Sequence, residues 1–174
     1  MNNTDTKKST SRRDWFTGSA AILGAGAISS LVLRGQTGST ANDISILNFA
    51  LRLENLESAF YNQGLAMFAP KDIANSVAVQ SIGGSKIGAN LYGYLGDIRT
   101  QEQAHVTTLI QSITALGGTP QPLDCYAFGF KTADDFLRIA QVLENAGVMA
   151  YDGAIASLKG ATKQYILISL GRAR

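Results

Sequence analysis

From residue 43 to about residue 68 the apolar positions Ile44, Leu47, Leu51, Phe60 and Leu65 recur mostly at helical spacing, with no proline among them. This predicts a first long helix, with Asp43 as its N-cap and Pro70 as its stop. Residues 69–86, with Gly83, Gly84 and several small polar positions, read as a loop. A second helix is predicted over about residues 86–116, ending at Gly117-Gly118 ahead of Pro120 and Pro122. Thr132-Ala133-Asp134-Asp135 has the form of a capping box, and a third helix runs from there to about residue 159. The last stretch, residues 161–174, is short, with an apolar cluster at Tyr165, Ile166, Leu167, Ile168 and Leu170. No segment alternates with period two between hairpin turns, so the expected class is all-α: an antiparallel bundle of three long helices plus a short or truncated fourth.

Residues 1–41 follow different rules. A polar start with Lys7 and Lys8 leads through Ser11-Arg12-Arg13-Asp14-Trp15-Phe16 into an uncharged, small-residue stretch at residues 18–33. A basic region, a short apolar region and a small-residue exit describe a secretory signal, with Ser39-Thr40-Ala41 as a cleavage site. The paired arginines before two bulky aromatics resemble the twin-arginine signal of bacteria, with Thr17 in place of its final lysine. The resemblance implies export of an already folded protein by the twin-arginine machinery, to a periplasmic or extracellular location. The alternative is a membrane anchor, but an apolar stretch that short falls below the roughly 20 residues a bilayer helix needs, so no stable span is expected after cleavage. The folded domain is expected over residues 42–174.

Removing that segment changes the charge. The 174-residue chain has 15 Lys and Arg against 13 Asp and Glu, a net charge of +2. Five of the basic and two of the acidic residues lie in the leader, which leaves ten basic and eleven acidic residues. The domain is therefore near neutral without a basic run, which argues against nucleic acid as a partner. One Cys and one His exclude a disulfide framework, a Cys-rich zinc or iron–sulfur site, and any site that needs several imidazoles.

The candidate chemistry lies in a loose internal repeat. Leu53-Glu54-Asn55 is followed by Tyr61, and Leu143-Glu144-Asn145 by Tyr151. Seven residues make nearly two helical turns, so Glu and Tyr share a face in each copy. Between the copies lies Glu102-Gln103-Ala104-His105, a Glu-x-x-His on one helical face. Carboxylates directed into a bundle core are costly unless a cation neutralises them. A mixed Glu/His oxygen and nitrogen set suits iron or manganese.

This pattern resembles the ferritin-like di-metal carboxylate bundles, which carry a Glu on each of two helices and Glu-x-x-His on each of the other two. The spacing of Leu47, Asn48 and Glu54 is similar to the first helix of bacterioferritin-type proteins. More closely, three segments resemble the exported ferritin-like family that includes desiccation-related proteins of plants and bacteria. They are the run from Ile46 to Tyr61, the Glu102-x-x-His105-Val106 segment, and the run from Phe136 to Tyr151. The resemblance implies Glu54, Glu102, His105 and Glu144 as metal ligands, with Glu57 as an alternative or supporting carboxylate and Tyr61 and Tyr151 beside the site. It also implies a fourth helix with a second Glu-x-x-His, whereas residues 161–174 contain no Glu, Asp or His. A truncated or frameshifted end, a site for one metal rather than a stable pair, and a homo-oligomer covering the exposed apolar face are the corresponding expectations.

Two functions follow: a metal-binding domain with oxidase or ferroxidase ancestry and impaired activity, or a non-catalytic stress- or desiccation-associated bundle. A hydrolase triad based on His105 lacks a Gly-x-Ser-x-Gly elbow, and the Gly83-Gly84 region lacks the Gly-Lys-Ser/Thr ending of a phosphate-binding loop. Cys125 is read as incidental, and the tyrosines as core residues with hydrogen-bonded hydroxyls.

Overall fold

The computed structural model describes residues 37–158 and Thr162. Residues 1–36 of the expected 1–41 signal segment, and the tail after residue 158 apart from Thr162, lie outside the described residues, while residues 37–41 belong to the first helix. Five helices follow in order: α1 (Thr37–Met67), α2 (Pro70–Ala74), α3 (Val77–Ser81), α4 (Ser85–Ala115) and α5 (Ala133–Ser157). Among the described residues there is no strand, and no helix is long and apolar enough to cross a membrane.

The ends follow from local chemistry, with two corrections. Asp43 does not cap α1: the helix starts at Thr37, and Asp43 is buried within it. Pro70 does not directly stop α1 either; the helix ends at Met67, and Pro70 opens α2, where its missing N–H costs nothing. The expected loop at 69–86 instead contains α2 and α3. The Asp72 carboxylate accepts the Ala69 N–H at 2.9 Å, and the Ser76 hydroxyl accepts the Val79 N–H at 3.3 Å. Helix α4 closes in a Schellman motif, with Gly117 at φ +78° and the Gly118 N–H donating to the Ile113 carbonyl at 2.9 Å. The capping box of α5 forms as expected: the Thr132 hydroxyl accepts the Asp135 N–H at 3.1 Å, and the Asp135 carboxylate accepts the Thr132 N–H at 3.2 Å.

Helix α1 is the central element, packing against both α4 and α5. It is antiparallel to α4, as the contacts of Asn62 with Gln103 and of Leu65 with Tyr92 show. It is also antiparallel to α5, where Tyr61 meets Glu144 and Tyr151 meets Glu54. Helices α4 and α5 therefore run parallel, and residues 118–131 connect them as an extended crossover along α1. The Asn48 side chain anchors its start, donating to the Thr119 carbonyl at 3.1 Å and accepting the Gln121 N–H at 2.7 Å. Further along, Gln63 donates to the Tyr126 carbonyl at 3.1 Å, and the rings of Phe128 and Phe130 meet Phe60 edge-on at 5.1 and 5.6 Å.

Two apolar clusters result. One gathers Phe60, Tyr61, Phe68, Phe130 and Phe136 around the crossover end; the other joins Leu47, Leu51, Leu109, Ile113, Tyr151 and Leu158. The polar positions Glu54, Glu57, Glu102 and His105 occupy the waist between them, all buried. The first cluster depends on a close approach at Gly64, where an added Cβ would lie 2.0 Å from Cε2 of the buried Phe136 ring. Gly64→Ala is expected to destabilise the fold by about 1–3 kcal/mol through forced displacement of that ring. Denaturant unfolding of the variant beside the parent chain checks this.

Candidate metal centre

Helix α1 contributes Glu54 from the same inward stripe as Leu47 and Leu51. Helix α4 contributes Glu102 and His105, one turn apart and continuing into Leu109 and Ile113. Their exposures are 0% for Glu54, 4% for Glu102 and 1% for His105, so water does not solvate these groups. His105 Nδ1 lies 3.1 Å from one oxygen of Glu54 and 3.0 Å from one oxygen of Glu102. One ligand atom from each residue lies within 4.8 Å of the others. His105 Nε2 is buried and has no hydrogen-bond partner.

Three ionisable groups this close in an apolar interior fix each other's protonation. Burial alone would raise Glu54, but hydrogen bonds from His105, Glu102 and Tyr151 hold it down at about 2. Burial, reinforced by the neighbouring Glu54 carboxylate, pushes Glu102 up to about 8. Burial would lower His105, but hydrogen bonds to Glu102 and Glu54 prevail and raise it to about 9. At neutral pH the trio is thus one carboxylate, one carboxylic acid and one imidazolium, with no net charge. Two carboxylates, a neutral imidazole and one divalent cation make an equally neutral set. The residues therefore fit a divalent ion that takes mixed oxygen and nitrogen ligands, and the ion would take the place of two protons.

Two tyrosines frame the group. Tyr151, from α5, donates its hydroxyl to Glu54, and Tyr61, from α1, donates to Glu144 at 2.8 Å. Burial, then the carboxylates of Glu144, Glu102 and Glu57, push the Tyr61 phenol upward, so it remains a donor. The repeat at 53–61 and 143–151 thereby acquires a structural meaning. Because α1 and α5 are antiparallel, each tyrosine reaches the glutamate of the other copy. Spacing along one chain could place Glu and Tyr on a common face, but this exchange of partners needs the relative direction of two helices.

Of the four ligands expected from sequence, the structure brings Glu54, Glu102 and His105 together. Glu144 lies outside that group, half-buried and held by Tyr61. Glu57 is 3% exposed and lies one turn beyond Glu54 on α1.

A family profile described as "Ferritin-like domain" matches residues 42–171. The chain belongs to this ferritin-like domain family. No curated protein matches the chain. In this ferritin-like domain, a bundle interior that holds Glu/Glu/His ligand atoms in one cluster is compatible with metal binding.

A metal ion bound here would compete with protons for the same atoms, which sets a direction with pH. Below about 8 and 9, Glu102 and His105 keep protons that an ion must displace, so affinity should rise as pH increases toward 9. Calorimetry in buffers of different ionisation enthalpy should show release of about two protons per divalent ion near neutral pH and fewer above pH 9. The metal-free fold has the opposite sign. The raised His105 favours folding fully below its ordinary 6.5, and that contribution is lost as pH rises through about 9. The melting temperature of metal-free protein should fall over that window, and added divalent ion should reduce the fall.

Proposed function

We propose that this ferritin-like domain binds one iron or manganese ion through Glu54, Glu102 and His105, and that it works outside the cytoplasm after export through the twin-arginine route. The observation that carries the metal reading is the three-residue cluster: buried, within ligand distance of one another, and electrically balanced by one divalent cation. Two oxygens and one imidazole nitrogen match the ligand preferences of iron and manganese better than those of softer ions. The export reading rests on the paired Arg12 and Arg13 ahead of Trp15 and Phe16.

A bound iron or manganese ion would supply a one-electron couple open to oxidation by O₂ or peroxide, the chemistry of an oxidase or ferroxidase. The chain's own residues prepare the place. Tyr151 orients Glu54 through its second oxygen, leaving the other toward His105. Glu102 sits a turn from His105 on the same helix and steers Nδ1. The apolar clusters on either side keep bulk water out, which strengthens every charge interaction within.

A second reading, a stress- or desiccation-associated bundle without catalysis, is favoured by one observation. Glu144 is engaged by Tyr61 and stands apart from the other three, so the described ligand set is small for two metals. Elemental analysis of protein reconstituted with Fe(II) or Mn(II) distinguishes the outcomes. About one ion per chain is expected, and Glu102→Ala or His105→Ala should weaken binding by at least about tenfold; protein that stays metal-free overturns the proposal. Oxygen-dependent Fe(II) oxidation that disappears in Glu54→Ala would exclude the non-catalytic reading.

Tyr151→Phe removes the hydroxyl without removing a ligand. It is expected to lower metal affinity by about 10–100-fold with little change in helix content, measured by competition with a metal indicator and by circular dichroism.

A further inference from the structure

Helix α5 is apolar on two faces. Its inward face carries Ala140, Gly147 and Tyr151, all buried. On the far side, Val142, Ala146, Met149, Gly153 and Ala156 recur at alternating spacings of four and three, and every one of them is exposed. Val142 is 61% exposed and Met149 75%, and a side chain built at Gly153 would meet nothing within 4 Å. No Asp, Glu, Lys or Arg interrupts this stripe from Val142 to Ala156. A helix that only lines a bundle is polar on its outer face. Beside the stripe, Phe49 of α1 is 52% exposed and, with Met149 and Gly153, borders a groove of about 430 Å³.

The stripe is its own complement. About Met149, Val142 and Ala156 lie seven residues to either side, and Ala146 and Gly153 three and four. Two copies of α5 laid antiparallel about a two-fold axis at Met149 therefore set Val142 opposite Ala156, large against small, and Ala146 opposite Gly153, where the backbones can approach closely. The flank matches too. Asn145 and Asp152 border the stripe on one side, both exposed. In an antiparallel helix pair the same flanks face each other, so the Asn145 amide of one copy meets the Asp152 carboxylate of the other, twice. Such a pair is isologous and closed, so it ends at a dimer.

We propose that the outer face of α5 is a homodimer interface, formed by antiparallel packing of α5 on α5 of a second copy, with Phe49 at its border. The inference rests on the outer surface alone and stands apart from any metal at the buried cluster.

Sedimentation velocity of the full-length chain at tens of micromolar tests it. The parent protein is expected as a dimer, and Met149→Glu as a monomer with unchanged helical circular dichroism. In a Cys125→Ser background, Met149→Cys lies at the two-fold axis and should form a covalent dimer under mild oxidation, whereas Val77→Cys on α3 should not. A monomeric parent, a dimer indifferent to Met149→Glu, or a Met149→Cys variant that crosslinks no faster than Val77→Cys each overturns the proposal. A monomeric parent that floats with phosphatidylcholine/phosphatidylglycerol vesicles would assign the face to lipid instead.

Discussion

The burial of Glu54, Glu102 and His105 in one apolar interior is the constraint around which the bundle is arranged. An isolated carboxylate there would be neutralised or excluded, so the three persist by hydrogen bonding one another, with Tyr151 holding Glu54 as well. The cluster also divides the core. A cluster rich in aromatic rings packs on one side and a mainly aliphatic one on the other. Protons on Glu102 and His105 balance the Glu54 carboxylate, and a divalent cation would balance the two carboxylates in the same way. That equivalence would let the interior stay neutral with or without an ion.

Holding three groups from two helices in register requires a scaffold with little freedom along α1. The crossover provides it. Asn48 grips the backbone of the crossover at Thr119 and Gln121, one layer below the cluster, and Phe60 receives Phe128 and Phe130 above it. The two grips lie on opposite sides of Glu54 along the same helix. Sliding α1 by a single turn would break both at once, in addition to separating Glu54 from His105. The long connection also sets direction: it returns the chain to the starting end of the bundle, so that α5, like α4, runs against α1. Only that direction lets Tyr61 meet Glu144 while Tyr151 meets Glu54.

Much of this was legible in the residues. Helical periodicity located α4 and α5 to within about two residues and α1 except for its first six, and Thr132 with Asp135 marked the start of α5. The Glu-x-x-His spacing put Glu102 and His105 on one face because that needs nothing beyond helix geometry. What escaped depends on contacts between segments. Asp43 has the chemistry of a cap, but it lies inside a helix that begins six residues earlier, because local propensity cannot register how far a helix is continued by packing. The short helices α2 and α3 are caps and turns stabilised by Asp72 and Ser76 within a glycine-rich stretch, and their five-residue lengths leave no periodic signal. Glu144 sits in the same sequence frame as Glu54, yet a frame cannot say which tyrosine will claim it.

The two faces of α5 give that helix a double role. Inward, it places the Tyr151 hydroxyl on Glu54 and leaves Glu144 to Tyr61. Outward, it presents an apolar stripe centred on Met149, two residues from Tyr151. Any partner seated on that stripe would restrain the same turn of helix from which Tyr151 reaches the cluster. Tyr151 carries that restraint inward through its hydrogen bond to Glu54. A partner on the outer stripe would thus sit on the same helical turn whose Tyr151 hydroxyl orients the Glu54 carboxylate inside.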